Sequence, residues 1–325
     1  MQLLKNKYLI AIVVVVVLAC AYLVSKNYAN GYATDRIEAF LIKNNLKDKV
    51  RYDSVSASVF GSACMNDVTI SDNVADVEIG SICVNKIDEE KGSITFLSVS
   101  ASDFNVPLAN IAGKNPYFAR GANEPIYRLL AVGATEFVCD MVLDYDYDSS
   151  DQVARMSLSS SANELGSVSI QYKFDHVRQS IFDLFANGSD TFSNGHAVNP
   201  LAGLALLQNA SSFSDMRLAD YSVIINNGPY VERLNQVKTI STPEDKSKWR
   251  DLLPPLSNEK LIKNGMVPSE ATEFVSVYNK WKTRGGEVKF SSNMERPLPL
   301  LKFVTSRVGG GAESFFGITN SQASM

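Results

Sequence analysis

The order of apolar and polar positions divides the chain into three parts. From Tyr8 to Val24 every residue is uncharged and nearly all are apolar, with Lys5 and Lys7 before the stretch and Lys26 after it. The 18 residues between Lys7 and Lys26 would make a helix of about 27 Å, close to a hydrocarbon core of roughly 30 Å. This predicts a membrane anchor over residues 1–25, its apolar surface carried by Leu9, Ile10, Val13, Val17, Leu18 and Val24, with Tyr8 and Tyr22 at the two interfaces. Residues 26–48 follow as a juxtamembrane helix, in which Tyr28, Tyr32, Ile37, Phe40 and Leu41 form an irregular apolar face.

The period then changes from 3.6 to 2. Val55, Ala57 and Val59 alternate with Ser54, Ser56 and Ser58, the mark of a half-buried strand. Val68 and Ile70, then Val77 and Ile79, continue the pattern. At Gly80 the apolar set shifts to Ile82 and Val84, as a bulge would shift it. Ile94 to Ala101 supplies a further strand. The clearest region runs from Phe137 to Phe174. Three alternating strands, separated by turns near Asp148–Asp151 and Asn163, predict an antiparallel meander with one wet face. Met216 to Ile225 returns to strand. Helical signals dominate later: Val231 to Ile240, a start at Thr242-Pro243, a second at Pro268 running to Gly285-Gly286, and Pro299 to Val308, with a strand around Val288 and Phe290. The expected class is α+β: an N-terminal transmembrane helix, then a twisted antiparallel sheet covered by helices. Residues 49–325 form the body, β-rich over 49–230 and mostly helical over 231–308.

Composition narrows the function classes. Hydrophobic residues are 45% and charged residues 20% of the chain, a globular balance that excludes a wholly disordered chain or a collagen. Net charge is −4, which argues against a nucleic-acid partner, because phosphate binding needs a concentrated cationic face. With 4 Cys and 2 His the ligand supply for a zinc or haem centre is thin, and no cofactor is expected.

Two alternatives stand beside the anchor: a cleaved signal peptide, and a lipoprotein signal in which Val17-Leu18-Ala19-Cys20 serves as a lipobox and Cys20 is lipidated. The positive charges flanking the stretch are nearly balanced, and a cytoplasmic N-terminus with an exported body is the better orientation. In the body, Cys64, Cys83 and Cys139 allow one bridge plus a free thiol, or three small buried hydrophobes. A Cys64–Cys83 bridge would staple neighbouring strands.

Asp144, Asp146 and Asp148 look like the opening of a calcium loop. However, the sixth and twelfth loop positions, which need Gly and Glu, are Ser149 and Arg155, so a solvated strand face explains them better. His176 and His196 are the only imidazoles. No Gly-x-Ser-x-Gly turn accompanies them, and both read as ordinary boundary residues. Gly309-Gly310-Gly311 lacks the spacing and the Lys of a phosphate loop.

The segments "VRYDSVSASVFGSACMNDVTI" and "VEIGSICV", placed behind a basic tail and an apolar stretch, resemble the start of AsmA-like and YdgA-like envelope proteins of Gram-negative bacteria. "LDYDYDSSDQVARMSLSSSANELGSVSIQYKFDHV" is similar to their paired strands, and "RLADYSVIINNGPYVERL" and "RGGEVKFSSNMERPLPL" to later parts of smaller members. The resemblance implies a single-pass inner-membrane protein with its body in the periplasm, no catalytic residues, and a role in lipid handling or envelope integrity. The alternative is a scaffold or interaction subunit of an envelope complex. The partners implied are the lipid bilayer, lipid and other envelope proteins.

Overall fold

The computed structural model describes residues 30–43, 46–57, 62–71, 76–110, 129–130, 132–162, 164–179, 181, 215–236, 256–292, 294, 296–300, 302 and 311–325. Its strands are β1 (Val50–Arg51), β2 (Ser54–Ala57), β3 (Ala63–Ser71), β4 (Asp76–Glu90), β5 (Ser93–Val106), β6 (Phe137–Asp148), β7 (Val153–Ala162), β8 (Gly166–Asp175), β9 (Arg217–Asn226), β10 (Glu287–Ser291), β11 (Leu298–Pro299) and β12 (Gln322–Ser324). The helices are α1 (Asn30–Lys43), α2 (Gly228–Gln236), α3 (Asn258–Lys263), α4 (Pro268–Arg284) and α5 (Gly311–Ile318). All 12 strands join one sheet in the order β1-β3-β4-β5-β6-β7-β8-β9-β10-β12, with β2 also on β3 and β11 also on β9.

The expected class needs correction. Among the described residues the antiparallel sheet is the dominant element, and helices are the minor part. No helix among them is long and apolar enough to cross a membrane. The stretch read as an anchor, including Tyr8, Leu9, Ile10, Val13, Val17, Leu18, Tyr22 and Val24, lies outside the described residues. β10 is the strand expected around Val288 and Phe290, which complete the apolar face of β9, and β11 is a further short strand on β9.

Register explains why the sheet has two chemically distinct faces. Ala63 lies opposite Val84 and Val84 opposite Val99. Val99 then meets Leu143, Leu143 meets Leu158, and Leu158 meets Ile170. Ile170 continues to Val223, Phe290 and Ala323. One apolar rung therefore crosses the sheet from β3 to β12. The residues on either side of it along each strand point the other way, since side chains alternate between faces. Those outward positions are mainly Ser, Asp, Asn, Lys and Arg.

The shift read at Gly80 is real, but it is no simple bulge between two strands. The β3–β4 register runs unbroken on both sides of Gly80, which falls opposite Asp67. In the β4–β5 register Gly80 also falls opposite Asp103. Asp67 and Asp103 both adopt φ of 52°. Three neighbouring strands thus change phase along one line, and the apolar face passes from Met65, Ile82 and Ala101 to Val68, Ile79 and Phe104, all buried. The β5–β6 ladder absorbs the difference in a register shift between Ala101 and Phe104. Asp103 is held at the kink by its backbone N–H, which donates to Asp140 Oδ1 at 3.0 Å.

Helices and connecting segments cover the two ends of the apolar face. On the β1–β3 side, Ile37 and Leu41 of α1 pack with Val50, Met65 and Ile70. Glu38 of α1 also takes an ion pair from Lys47 at 2.9 Å and a hydrogen bond from Tyr52 Oη at 3.1 Å. These partners, Lys47 first, hold its carboxyl below the usual Glu range. On the other side, α4 begins at Pro268 and ends at Gly285, as its start and stop residues predict. Its Phe274, Tyr278 and Trp281 pack on Val288 and Phe290. The Trp281 indole donates to Gly286 O at 3.0 Å. The helix expected from Val231 starts earlier, at Gly228, and Val231 N–H donates to Asn227 O at 3.1 Å in its first turn.

A side chain at position 80 would be tightly placed: an added Cβ would stand 3.0 Å from Asp103 Cβ and 3.0 Å from its Oδ2, so Asp103 would have to shift by a few tenths of an ångström. Gly80→Ala is expected to cost roughly 1–3 kcal/mol through this overpacking. Urea unfolding measures it, and an unchanged midpoint would show that the kink is not the tight contact described.

Candidate functional site

The two faces of β6–β9 hold the most distinctive surfaces, one on each side of the same strands. On the apolar side, packed clusters close both ends of the sheet. Tyr145 and Tyr147 help to close one of them. Tyr147 Oη donates to Val177 O at 2.8 Å, and Ile181 N–H donates to Tyr145 Oη at 3.1 Å. These two bonds pin the segment that leaves β8 over the sheet. Tyr221 Oη is joined to Ser321 Oγ, which lies 2.7 Å from Thr319 Oγ1, so the C-terminal turn is fixed over β9 by a buried hydroxyl network.

Between these ends the apolar face is only partly covered among the described residues. Leu143, Leu158, Val168 and Ile170 belong to none of the four packed clusters. Leu158 is 39% exposed, on the middle strand of the three. In contrast, Val84 and Val99, farther along the same rung, are 2% and 1% exposed. Scattered apolar residues on a surface need no explanation, but contiguous ones in register on adjacent strands make a patch. Met141, half-buried, borders this window from the first cluster.

The polar side of the same strands is concave. A cavity of about 400 Å³ is lined by Asp144, Asp146, Arg155, Ser157, Gln171, Lys173, Asp220 and Ser222, over the backbone of Tyr145, Met156, Tyr172 and Tyr221. Its side chains form two rungs. Asp144, Ser157, Gln171 and Ser222 make a row with a single charge, and Asp146, Arg155, Lys173 and Asp220 make a fully charged one. Arg155 Nη1 lies 2.9 Å from Asp146 Oδ2. Ser157 Oγ donates to Asp144 Oδ2 at 3.3 Å.

The aspartates read as a calcium-loop opening have structural partners here. Asp148 caps the β6–β7 turn: its Oδ1 accepts from Ser150 Oγ at 2.6 Å, Ser150 N–H at 2.9 Å and Asp151 N–H at 3.2 Å. These bonds, the Ser150 hydroxyl first, hold its carboxyl below the usual Asp range. Arg155, the residue that breaks the calcium pattern, is the ion-pair partner of Asp146. Among the described residues no group of three or more His, Cys, Asp or Glu is placed to hold a metal ion. His176 is exposed at the end of β8 with φ of 62°. His196 and Cys20 lie outside the described residues.

Cys64 and Cys83 are register partners on β3 and β4 and are joined by a disulfide, on the polar face. Cys139 is a buried free thiol. Burial pushes its pKa up, so it is a poor nucleophile at neutral pH.

The apolar window and the charged rung were not visible as units in the sequence, although each residue was. Register across a turn assembles them. The signal present was the phase of each strand, Arg155 and Lys173 both falling at outward positions on consecutive strands.

Fold and surfaces together define a wide antiparallel-sheet protein with an apolar face closed at its ends and a concave polar back. Compared with models of known protein families the chain matches none, and no curated protein matches it. The likeness to AsmA-like proteins therefore rests on the sequence pattern alone.

The cap on Asp148 sets a pH dependence of known sign. A carboxyl with a lowered folded pKa stabilises fully above its unfolded value of about 3.9 and loses that contribution as pH falls through the lower folded value. Asp148→Asn is therefore expected to lose stability at pH 7 and to show a smaller drop than the parent between pH 5 and pH 2. Urea midpoints across that range test this. Parallel curves for the two proteins would refute the cap.

Proposed function

We propose that this protein works without catalysis in the bacterial cell envelope, where the open middle of its apolar sheet face handles lipid. The observation that carries the reading is the window itself: Leu143, Leu158 and Ile170 in register on β6–β8, with Val168 beside Ile170 on β8, outside the packed clusters. An acyl chain is a linear apolar ligand, and a strip of Leu, Val and Ile along a sheet rung offers it continuous contact. Each buried methylene contributes about 0.8 kcal/mol, so even a partly covered chain gains useful affinity from such a strip.

An exported location is supported by the Cys64–Cys83 disulfide, since such bonds persist in oxidising compartments and are rare in a reducing cytosol. The body then lies beyond the inner membrane, on its periplasmic side.

Two measurements bear on this. Binding of a fluorescent acyl probe to the full chain is expected to weaken about ten-fold in Leu158→Asp and in Ile170→Asp. Both positions are at least partly open to solvent, so the thermal midpoints should stay close to the parent. Equal binding by parent and variants, or no binding by the parent, would remove the lipid reading. In cells quenched with an alkylating agent, Cys64 and Cys83 should resist labelling until a reductant is added. Labelling of both without reduction would place the body in a reducing compartment instead.

A further inference from the structure

The charged rung on the polar back carries an imbalance that its own partners leave unresolved. Arg155 and Lys173 are direct register partners on β7 and β8. Like charges placed directly opposite on neighbouring strands repel. Arg155 is compensated by Asp146 at 2.9 Å. Lys173 is not compensated to the same degree: its Nζ comes only within 3.9 Å of Asp175 Oδ1, beyond hydrogen-bond range. Asp220 is the register partner of Lys173 on its other side, yet the two form no ion pair. The Asp220 carboxylate accepts instead from the Ser292 hydroxyl. A cation and an anion one strand apart, about 4.8 Å in backbone spacing, thus stand unjoined in the floor of a cavity of about 400 Å³.

The signs decide what such a floor accepts. Two adjacent cations attract an anion, and a phosphate has enough oxygens to meet the Arg155 fork and the Lys173 ammonium together, whereas one carboxylate is used up by the fork alone. A bare anion, however, also meets Asp144, Asp146 and Asp220, which outnumber the two cations. A bare amine meets Arg155 and Lys173. Only a ligand with both signs satisfies the row, its charges about one strand spacing apart. We propose that this trough binds a small phosphate–amine zwitterion of the phosphoethanolamine type, with the phosphate between Arg155 and Lys173 and the ammonium on Asp220. The site lies on the opposite side of the sheet from the apolar window and does not rest on the lipid reading above.

Isothermal titration of the full chain with phosphoethanolamine, inorganic phosphate and ethanolamine tests the charge argument. Phosphoethanolamine is expected to bind at least about ten-fold more tightly than either half, and Lys173→Gln and Asp220→Asn should each weaken it by about ten-fold. Both side chains are solvent-accessible, and circular dichroism checks that the variants keep the parent fold. No heat at millimolar phosphoethanolamine, binding of phosphate alone with equal affinity, or variants that bind like the parent would each overturn the proposal. Vesicles of phosphatidylethanolamine distinguish the source. Competition with the soluble compound identifies a lipid headgroup, and soluble binding without competition identifies the free compound. Either pattern supports the site.

Discussion

The antiparallel register is the constraint on which the rest of the structure depends. It keeps Ala63, Val84, Val99, Leu143, Leu158, Ile170, Val223, Phe290 and Ala323 in one row. A slip of one residue anywhere in that row would turn a strand over and send its apolar set to water. The penalty grows with each strand, so the register of the middle is held from both ends. The kink at Asp67, Gly80 and Asp103 obeys the same rule. Because side chains alternate, a phase change in one strand alone would bury polar groups beside apolar ones. The structure avoids this by moving three strands together and discharging the mismatch in one irregular stretch of the β5–β6 ladder.

Much of this was legible from the sequence where the signal is local. The alternation from Phe137 to Phe174 gives β6, β7 and β8 nearly residue for residue, because a half-buried strand must alternate. The phase change at Gly80 and the start of α4 at Pro268 are likewise written in single residues. What requires distant pairing was not legible. β8 meets β9 across the interval from Asp175 to Arg217, and no periodicity announces which strand will be its partner. β12 is three residues, Gln-Ala-Ser, with almost no strand character of its own. It exists because β10 offers an unpaired edge and because the Thr319–Ser321 turn is locked to Tyr221. The surfaces argued to be functional fall in the same class. Leu158 and Ile170 read as ordinary core positions, and only the distribution of the described helices over the finished sheet leaves Leu158 exposed and Ile170 half-buried.

The ion pairs contribute little to holding the fold together. Arg155 and Asp146 are half-exposed, and exposed pairs are worth less than about 1 kcal/mol. The buried hydroxyls matter more for position than for energy. Tyr145, Tyr147 and Tyr221 each place a ring on the apolar face and a hydroxyl on a segment that covers it. Two otherwise irregular segments, the one leaving β8 and the C-terminal turn, are thereby attached at defined points, and the closed ends of the face acquire fixed boundaries. The partly covered middle then lies between Ala154 and Met156, which pack into one cluster at the start of β7, and Ala162, which packs into another at its end.

The edges of the sheet complete this account of where a partner can engage. A long free edge invites another strand to add. Here the outermost strands are short: two residues in β1, four in β2 and three in β12. The half of β4 beyond its pairing with β3, from Asn85 to Glu90, is blunted by Lys86, Asp88, Glu89 and Glu90, with Lys86 and Asp88 paired at 2.8 Å. Strand addition is thus disfavoured at every described edge. The two faces are left, and they differ in chemistry as sharply as the alternation that made them: one carries an apolar rung, the other a row of opposite charges.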